Sequence, residues 1–351
     1  MNNRNILRPC LLIGTGAHKS FKESNIESSP LCDWRLLLKA VSNKLDVTVE
    51  DILYNYPTIQ WEQLITHAST HGYKKFNGDK IQPNTHRPFE IESEAKKLVA
   101  DILKKASQDY RHQPDFLAFL NKPDWVSIIS LNFDCAWANP SLPLPAYSCN
   151  GTITGKELQR IYGNIRLNET QPEKRIWFPN GCIEKPDSIR LGYRDFGTQI
   201  KKFESTFNEI KVFERTALKP VDNSSDSLAP FNKIADFINT DCDTLAFNGS
   251  TIQRSWILDF LFNPLLFVGV GLSPSESGLW WLLTQRARNL ARVPVEFRPP
   301  TIIIRREEDD NAFFAASPLE IKMIVAEKGK SIRQAALDWV EQNNWHGDAI
   351  R

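Results

Sequence analysis

The sequence predicts an α/β fold: a mostly parallel sheet covered by helices on both faces, with a helical insertion. Three observations point there. Several short runs are apolar at nearly every position, helical stretches separate them, and two of the runs end directly in glycine turns. A strand with one wet face alternates apolar and polar residues. CLLIGTG (10–16), WVSIISL (125–131) and PLLFVGVG (264–271) do not alternate cleanly, so they read as strands buried on both sides.

The elements follow in order. After the first strand and a polar loop, Asp33 opens a helix carrying Leu36, Leu37, Val41 and Leu45. VTVEDILYNY (47–56) and IQWEQLITHAS (59–69) read as two more helices. From Ile91 to Ala106 the apolar positions 91, 95, 98, 99, 102 and 103 keep helical spacing. This all-helical block, about 33–120, is too long for one crossover and reads as an insertion. NPSLPLPAY (139–147) is proline-rich and must be irregular. RIWF (175–178) and SIRL (188–191) are short strand candidates around a PNG turn. A helix over about 195–216 shows Ile200, Phe203, Phe207, Ile210 and Phe213 on one face. VDNSSDS (221–227) is a loop. A helix follows the strand at 264–271, TIII (301–304) and IKMIVA (321–326) are late strands, and a terminal helix covers about 331–343. The organisation is one domain over about 1–330 followed by a C-terminal helical segment, 331–351.

Composition narrows the function classes. Formal net charge is +1, so no global basic field points to direct nucleic-acid binding. No stretch reaches the roughly 18 apolar residues of a membrane span, and the N-terminus lacks the apolar run of a signal peptide. The six cysteines, at 10, 32, 135, 149, 182 and 242, form no CxxC pair; reduced, mostly buried thiols in a cytoplasmic chain are expected, and no metal.

Four motifs carry the chemistry. Gly14-Thr15-Gly16-Ala17 ends a strand, where glycine lets backbone approach a pyrophosphate and the following amides can donate to it; Lys19 stands where a dinucleotide fingerprint would place a third glycine, and a plain strand-to-helix turn fits equally. Asn132-Phe133-Asp134 follows a strand, where polar side chains face a ligand crevice; a helix cap is the plainer alternative. Phe178-Pro179-Asn180-Gly181, then Pro186-Asp187-Ser188-Ile189, reads as a turn. Gly269, Gly271 and Ser273 again suit close approach to a ribose or phosphate, while Ser273, Pro274 and Glu276 also form a capping box.

In this order the motifs resemble the sirtuin superfamily, and more closely the sirtuin-like NADase subunits of bacterial anti-phage defence systems. Pro30, Trp34, Leu37 and Leu38 sit near the spacing of a Pro-x-x-Trp-x-x-Leu-Leu segment. Asn132, Phe133 and Asp134 match an Asn-Phe/Tyr-Asp signature, with Ser130 for a threonine. Asn180-Gly181, Pro186, Ser188, Ile189 and Tyr193 follow a His-Gly turn and Pro-x-Ser-Ile pattern, and Val270-Gly271-Leu272-Ser273 echoes Val-Gly-x-Ser. The likeness spans about 9–292.

The resemblance implies a Rossmann-like core and cleavage of NAD, as substrate, into nicotinamide and ADP-ribose. Gly14, Thr15, Gly16, Ala17, Phe133, Gly269, Gly271 and Ser273 would bind the dinucleotide, and Asn132 and Asp134 would orient the ribose and stabilise its developing positive charge. It also implies a partner-activated, oligomeric effector that depletes NAD in defence, triggered by a nucleotide-binding, Argonaute-like or helicase-like neighbour. Two departures stand out. The zinc module of the deacetylating sirtuins is missing, and the catalytic histidine's position holds Asn180, an amide with no basic nitrogen. His18, in the glycine turn, is the candidate replacement. A subunit that binds NAD or ADP-ribose without cleaving it is the alternative.

Overall fold

The computed structural model describes residues 8–20, 29–47, 57–108, 120, 125–134, 148–150, 162–165, 174–217, 234, 236–238, 242–247, 249–272, 276–295, 298–306 and 319–342. The first strand is β1 (Cys10–Ile13), and a 3-10 turn, Thr15–Ser20, follows it. Three helices come next: α1 (Trp34–Leu45), α2 (Pro57–His71) and α3 (Pro88–Gln108), with a short hairpin, β2 (Tyr73–Lys74) and β3 (Lys80–Ile81), between the last two. Then come β4 (Ser127–Ser130), β5 (Ser148–Asn150), β6 (Tyr162–Ile165), β7 (Lys174–Trp177) and α4 (Tyr193–Ala217). The hairpin β8 (Thr244–Phe247) and β9 (Ser250–Gln253) leads to α5 (Trp256–Phe262), β10 (Leu265–Val268) and α6 (Ser277–Leu290). Strands β11 (Thr301–Arg305) and β12 (Ile321–Val325) and helix α7 (Ile332–Gln342) complete the described chain.

Eight strands form one sheet in the order β12-β11-β10-β1-β4-β7-β6-β5. The six from β12 to β7 run parallel, whereas β6 pairs antiparallel with both β7 and β5. Taken in chain order, the parallel strands lie 3-2-1-4-5-6 across the sheet, the doubly wound Rossmann-like arrangement. The strand order reverses between β1 and β10, whose partners run from Cys10↔Leu265 to Ile13↔Val268. A crevice opens at such a reversal, because the connections leave β1 and β10 toward opposite faces.

Both faces of the sheet are buried, which is why its central strands carry no polar alternation. Leu12, Ile129, Phe267 and Ile303 pack with Phe203, Phe207 and Ile210 of α4, with α5, and with Leu282 of α6. Their neighbours Leu11, Ile13, Ile128, Leu266, Val268 and Ile302 point the other way, onto Ile332, Ala336 and Val340 of α7. Each fully buried Leu, Ile or Phe contributes about 1.5–3 kcal/mol relative to exposure. A third cluster belongs to the insertion: Leu37, Val41 and Leu45 of α1, Trp61 and Leu64 of α2, and Ala95, Leu98 and Val99 of α3. Phe133, Ile189 and Leu191, from loops at the sheet's carboxyl edge, plug into that cluster and seat the insertion over the strand ends.

Several expectations change. The block at 33–120 is not all helical, since β2 and β3 pair within it. SIRL is no strand. Gly181 turns with φ +88°, Ser188 Oγ donates to the Lys185 carbonyl at 2.6 Å and accepts from Cys182 N–H at 3.0 Å, and Pro186–Ser188 closes into a 3-10 turn. The local bonds outcompete a ladder that would need a free sheet edge. Helix α6 begins at Ser277 with Glu276 at its N-cap, not with the capping box at Ser273. Residues 48–56, 139–147, 221–227 and Ser273 lie outside the described residues. No described helix is long and apolar enough to cross a membrane.

Candidate active site

A cavity of about 530 Å³ opens at the carboxyl ends of the strands flanking the reversal. Gly14 and Thr15 after β1, Leu131 and Asn132 after β4, Pro179 and Asn180 after β7, and Gly269 to Gly271 after β10 form its floor. The start of α1 contributes Asp33, Trp34 and Arg35. Phe196, Gln199 and Phe203 of α4, Trp256 at the head of α5, and Glu276, Gly278 and Leu279 at the head of α6 close the sides. Its size lies within the ~300–1,000 Å³ of small-molecule sites.

The floor is two turns in direct backbone contact. Gly14 N–H donates to the Val268 carbonyl at 3.1 Å and Gly16 N–H to the Gly269 carbonyl at 2.9 Å. A Cβ on Gly14 would stand 2.5 Å from the Gly269 oxygen, and one on Gly269 would stand 1.9 Å from the Ala17 nitrogen. Gly269 also sits at φ +68°, where a side chain is strained. These glycines therefore let two turns touch. The sequence reading made the amides that follow the first glycine donors to a ligand; of these, Gly16 N–H is already bonded inside the protein, as is Ala17 N–H, which donates to the Gly14 carbonyl at 3.0 Å. Gly271 differs: it lines the cavity, and among the described residues a Cβ there would meet nothing within 4 Å. Its carbonyl accepts from Arg305 Nη1 at 2.7 Å, which pins the loop.

The predicted residues thus divide. Gly14, Thr15, Asn132, Asn180, Gly269 and Gly271 meet on the cavity wall. Phe133 does not; it is buried in the insertion's core, 5.4 Å from the Trp34 ring, and its carbonyl accepts from Ile183 N–H. Gly16, Ala17 and the buried Asp134 are not among the residues that line it. His18 belongs to the 3-10 turn, but its side chain, like Ser273, lies outside the described residues.

Asn180 holds two strand ends and α4 together. Its Nδ2 donates to the Leu131 carbonyl at 2.9 Å, and its Oδ1 accepts from Gln199 Nε2 at 3.3 Å. Gln199 Nε2 also donates to the Pro179 carbonyl at 3.1 Å. A carbonyl can only accept, so these bonds fix which way both amides point. Asn132 is nearly fully buried, and Ser130 Oγ donates to its carbonyl at 3.2 Å, which tightens the turn presenting it.

Charge on the wall is sparse. Arg35 is clamped by Asp33, which also caps α1: Asp33 Oδ1 accepts from Arg35 N–H at 2.8 Å, and Asp33 Oδ2 from Nη2 at 2.9 Å. The hydrogen bonds and then the charge of Asp33 raise the Arg35 pKa. Behind Phe196, Asp195 joins the insertion to α4. It accepts from Lys96 Nζ at 3.0 Å, Arg190 Nη1 at 2.8 Å and Leu191 N–H at 3.2 Å, while Lys96 also pairs with Glu92 at 2.6 Å. Burial pushes the Asp195 carboxyl up, but Lys96 and Arg190 together outweigh burial and hold it below the ordinary value.

Sequence reasoning missed Arg35, Gln199 and Trp256. Gln199 had a faint signal, as a polar residue beside the apolar stripe of α4, and Arg35 adjoins the tryptophan of a recognised segment. Trp256 had none, because only the folded chain brings α5 to this cavity. Among the described residues, no group of three or more His, Cys, Asp or Glu is placed to hold a metal. No protein-family model matches the chain, and no curated protein matches it.

Proposed function

We propose that the chain is an NAD glycohydrolase, cleaving NAD to nicotinamide and ADP-ribose. The observation that carries this reading is convergence: Gly14, Asn132, Asn180 and Gly271, spread over most of the sequence, line one cavity at the reversal of a Rossmann-like sheet, which is where such sheets bind dinucleotides. Gly271 leaves open space where a phosphate or ribose can lie against backbone. Arg35 is a cation on that wall for the pyrophosphate, which would compete with Asp33 for it. Asn132 would orient the ribose or the attacking water. Nicotinamide leaves from a cationic ring, so the bond can break with oxocarbenium character, and positioning matters more than a strong base. That is how the site would work with an amide at position 180, at a cost of about 10²–10⁴-fold in rate.

The likeness to defence-system NADases extends the proposal to an oligomeric, cytoplasmic effector held silent until a partner protein releases it, since uncontrolled loss of NAD kills the cell that makes it. A second reading is favoured by the bonding of Asn180, whose two polar atoms are both engaged with protein groups: a subunit that binds NAD or ADP-ribose without cleaving it. Incubating the full chain with NAD, alone and co-purified with the proteins encoded beside it, separates the two. Release of nicotinamide and ADP-ribose that Asn132→Ala abolishes is the expected result. Bound, intact NAD under every condition would establish the binding subunit, and no binding at all would reject both.

A further inference from the structure

The net charge of +1 conceals a local basic surface on the insertion. Residues 73–90 carry three lysines and an arginine against Asp79 and Glu90, and most of the segment is exposed. The hairpin sets Lys74 directly opposite Lys80 in its antiparallel register. Like charges so placed repel and destabilise the pair. The nearby carboxylates are engaged elsewhere: Asp79 accepts from Asn77 Nδ2 at 2.8 Å, Glu90 from the Arg87 backbone N–H at 2.7 Å, and Glu94 from Lys97 Nζ at 2.8 Å. Among the described residues, Lys74, Lys75, Lys80 and the Arg87 guanidinium enter no ion pair. Phe76, in the turn between the lysines, is 53% exposed. The segment is nonetheless held in place. Lys75 N–H donates to the Asp79 carbonyl at 2.8 Å, Asn84 N–H donates to the Ser69 carbonyl at 2.8 Å, and the Tyr73 hydroxyl bonds to His86 Nδ1 at 2.7 Å. That last bond ties the chain entering α3, with Arg87, to the base of the hairpin.

Fixed, unpaired cations around an exposed ring are the parts of a surface that follows a phosphate backbone and stacks a base. We infer that the β2–β3 hairpin, with Arg87, binds single-stranded nucleic acid: the four cations meet phosphates and Phe76 stacks on a base. A duplex hides the faces of its bases, so the ring selects a single strand. A protein partner fits less well, because lysine is depleted at protein interfaces. So does a lipid surface. Gln82, Asn84 and Thr85 stand exposed in the same segment, where their amides and hydroxyl suit sugar and phosphate oxygens but would cost desolvation in a membrane. A hairpin that needed only to stay soluble would be steadier with opposite charges at 74 and 80. The repulsion is relieved when phosphates lie against both lysines. None of these residues lines the cavity, so the inference stands apart from the NAD reading.

The test follows the fluorescence anisotropy of a labelled oligothymidylate titrated with the full-length chain over a salt series. Four cations on the phosphates of a single strand give a slope of log affinity against log salt of about −3. Lys80→Glu should weaken binding by about tenfold or more, and leave the unfolding midpoint unchanged or raised, since a carboxylate opposite Lys74 attracts it. Phe76→Ala should weaken binding by about tenfold with the salt slope unchanged, because stacking carries no charge. Two outcomes need no variant. No anisotropy change at the lowest salt would overturn the inference, and so would a duplex of the same length that binds as tightly. Displacement of the oligothymidylate by phosphatidylserine vesicles or polyglutamate at equal charge would also overturn it, and would assign the surface to a membrane or to an acidic protein. Wild-type affinity in Lys80→Glu would place the nucleic acid elsewhere on the chain.

Discussion

The two walls of the cavity are held by different forces. The sheet wall is backbone against backbone: the turns after β1 and β10 touch through Gly14, Gly16 and Gly269, with no side chain between them. The helical wall is held by charge: Lys96 on α3 and Arg190 at the entrance to α4 meet the buried carboxylate of Asp195, next to the cavity residue Phe196. Steric contact between backbones does not titrate. An ion network does, and it joins the insertion to the helix that carries Gln199 and Phe203. The sheet wall is therefore the fixed jaw, and the helical wall is the one that pH, substitution or a docking protein can shift.

The largest effect should come from the fixed jaw. Gly269→Ala places a Cβ 1.9 Å from the Ala17 nitrogen at φ +68°. The left-handed backbone costs about 1–2 kcal/mol and the overlap about 1–3 kcal/mol more. A loss of about 4 kcal/mol is a large part of a typical domain's stability. Chemical denaturation should show a chain that is barely folded or not folded at 37 °C. A variant with an unchanged midpoint would mean that the two turns are not in contact.

Next comes the titratable wall. Asp195→Asn removes the anion between the buried Lys96 and the half-buried Arg190, and breaking such a network costs about 3 kcal/mol. The sign of the pH dependence follows from the lowered pKa of Asp195. Its stabilisation is in full force above the ordinary carboxyl value of 3.8 and disappears as pH falls through the lower value of the folded state. Wild type should lose stability steeply as pH drops below 3.8, and the Asn variant should lose less over the same window. Parallel curves for the two proteins would show that Asp195 adds nothing to the acid response.

The same contrast separates what the sequence disclosed from what it hid. The sheet was legible because CLLI, SIIS, LLFV and TIII are apolar on both faces, and only a strand covered on both sides tolerates that. Helix α1 was legible from Asp33, which caps it, and from the spacing of Leu37, Val41 and Leu45. The gathering of Asn132, Asn180 and Gly271 followed once the strands were in order, because strand ends meet at one edge. SIRL misled because its apolar residues serve the insertion's core rather than a ladder. The glycines were harder to read. A glycine that admits a ligand and a glycine that admits a neighbouring turn look alike in one dimension, and only the distance from Gly14 to the Gly269 oxygen distinguishes them. Trp256 and Gln199 reach the cavity by packing between helices far apart in sequence, which no local pattern records.

The smallest effect on stability should come from the glycine that faces open space. Gly271→Ala adds a methyl that meets nothing within 4 Å among the described residues, so the unfolding free energy should change by no more than about 0.5 kcal/mol. The methyl enters the cavity beside the loop held by Arg305. If a dinucleotide lies against this backbone, ADP-ribose and NAD should both bind about tenfold more weakly, because a rigid wall cannot retreat from an added methyl without strain. Gly14→Ala should behave in the opposite way, losing stability through its 2.5 Å overlap with the Gly269 oxygen. Denaturation and ligand titration on the two variants give a crossed pattern if one glycine serves the fold and the other the ligand. Matching profiles would mean that Gly271 is a turn residue like the rest, and the ligand-facing floor would have to be sought at Thr15 and Asn132 instead.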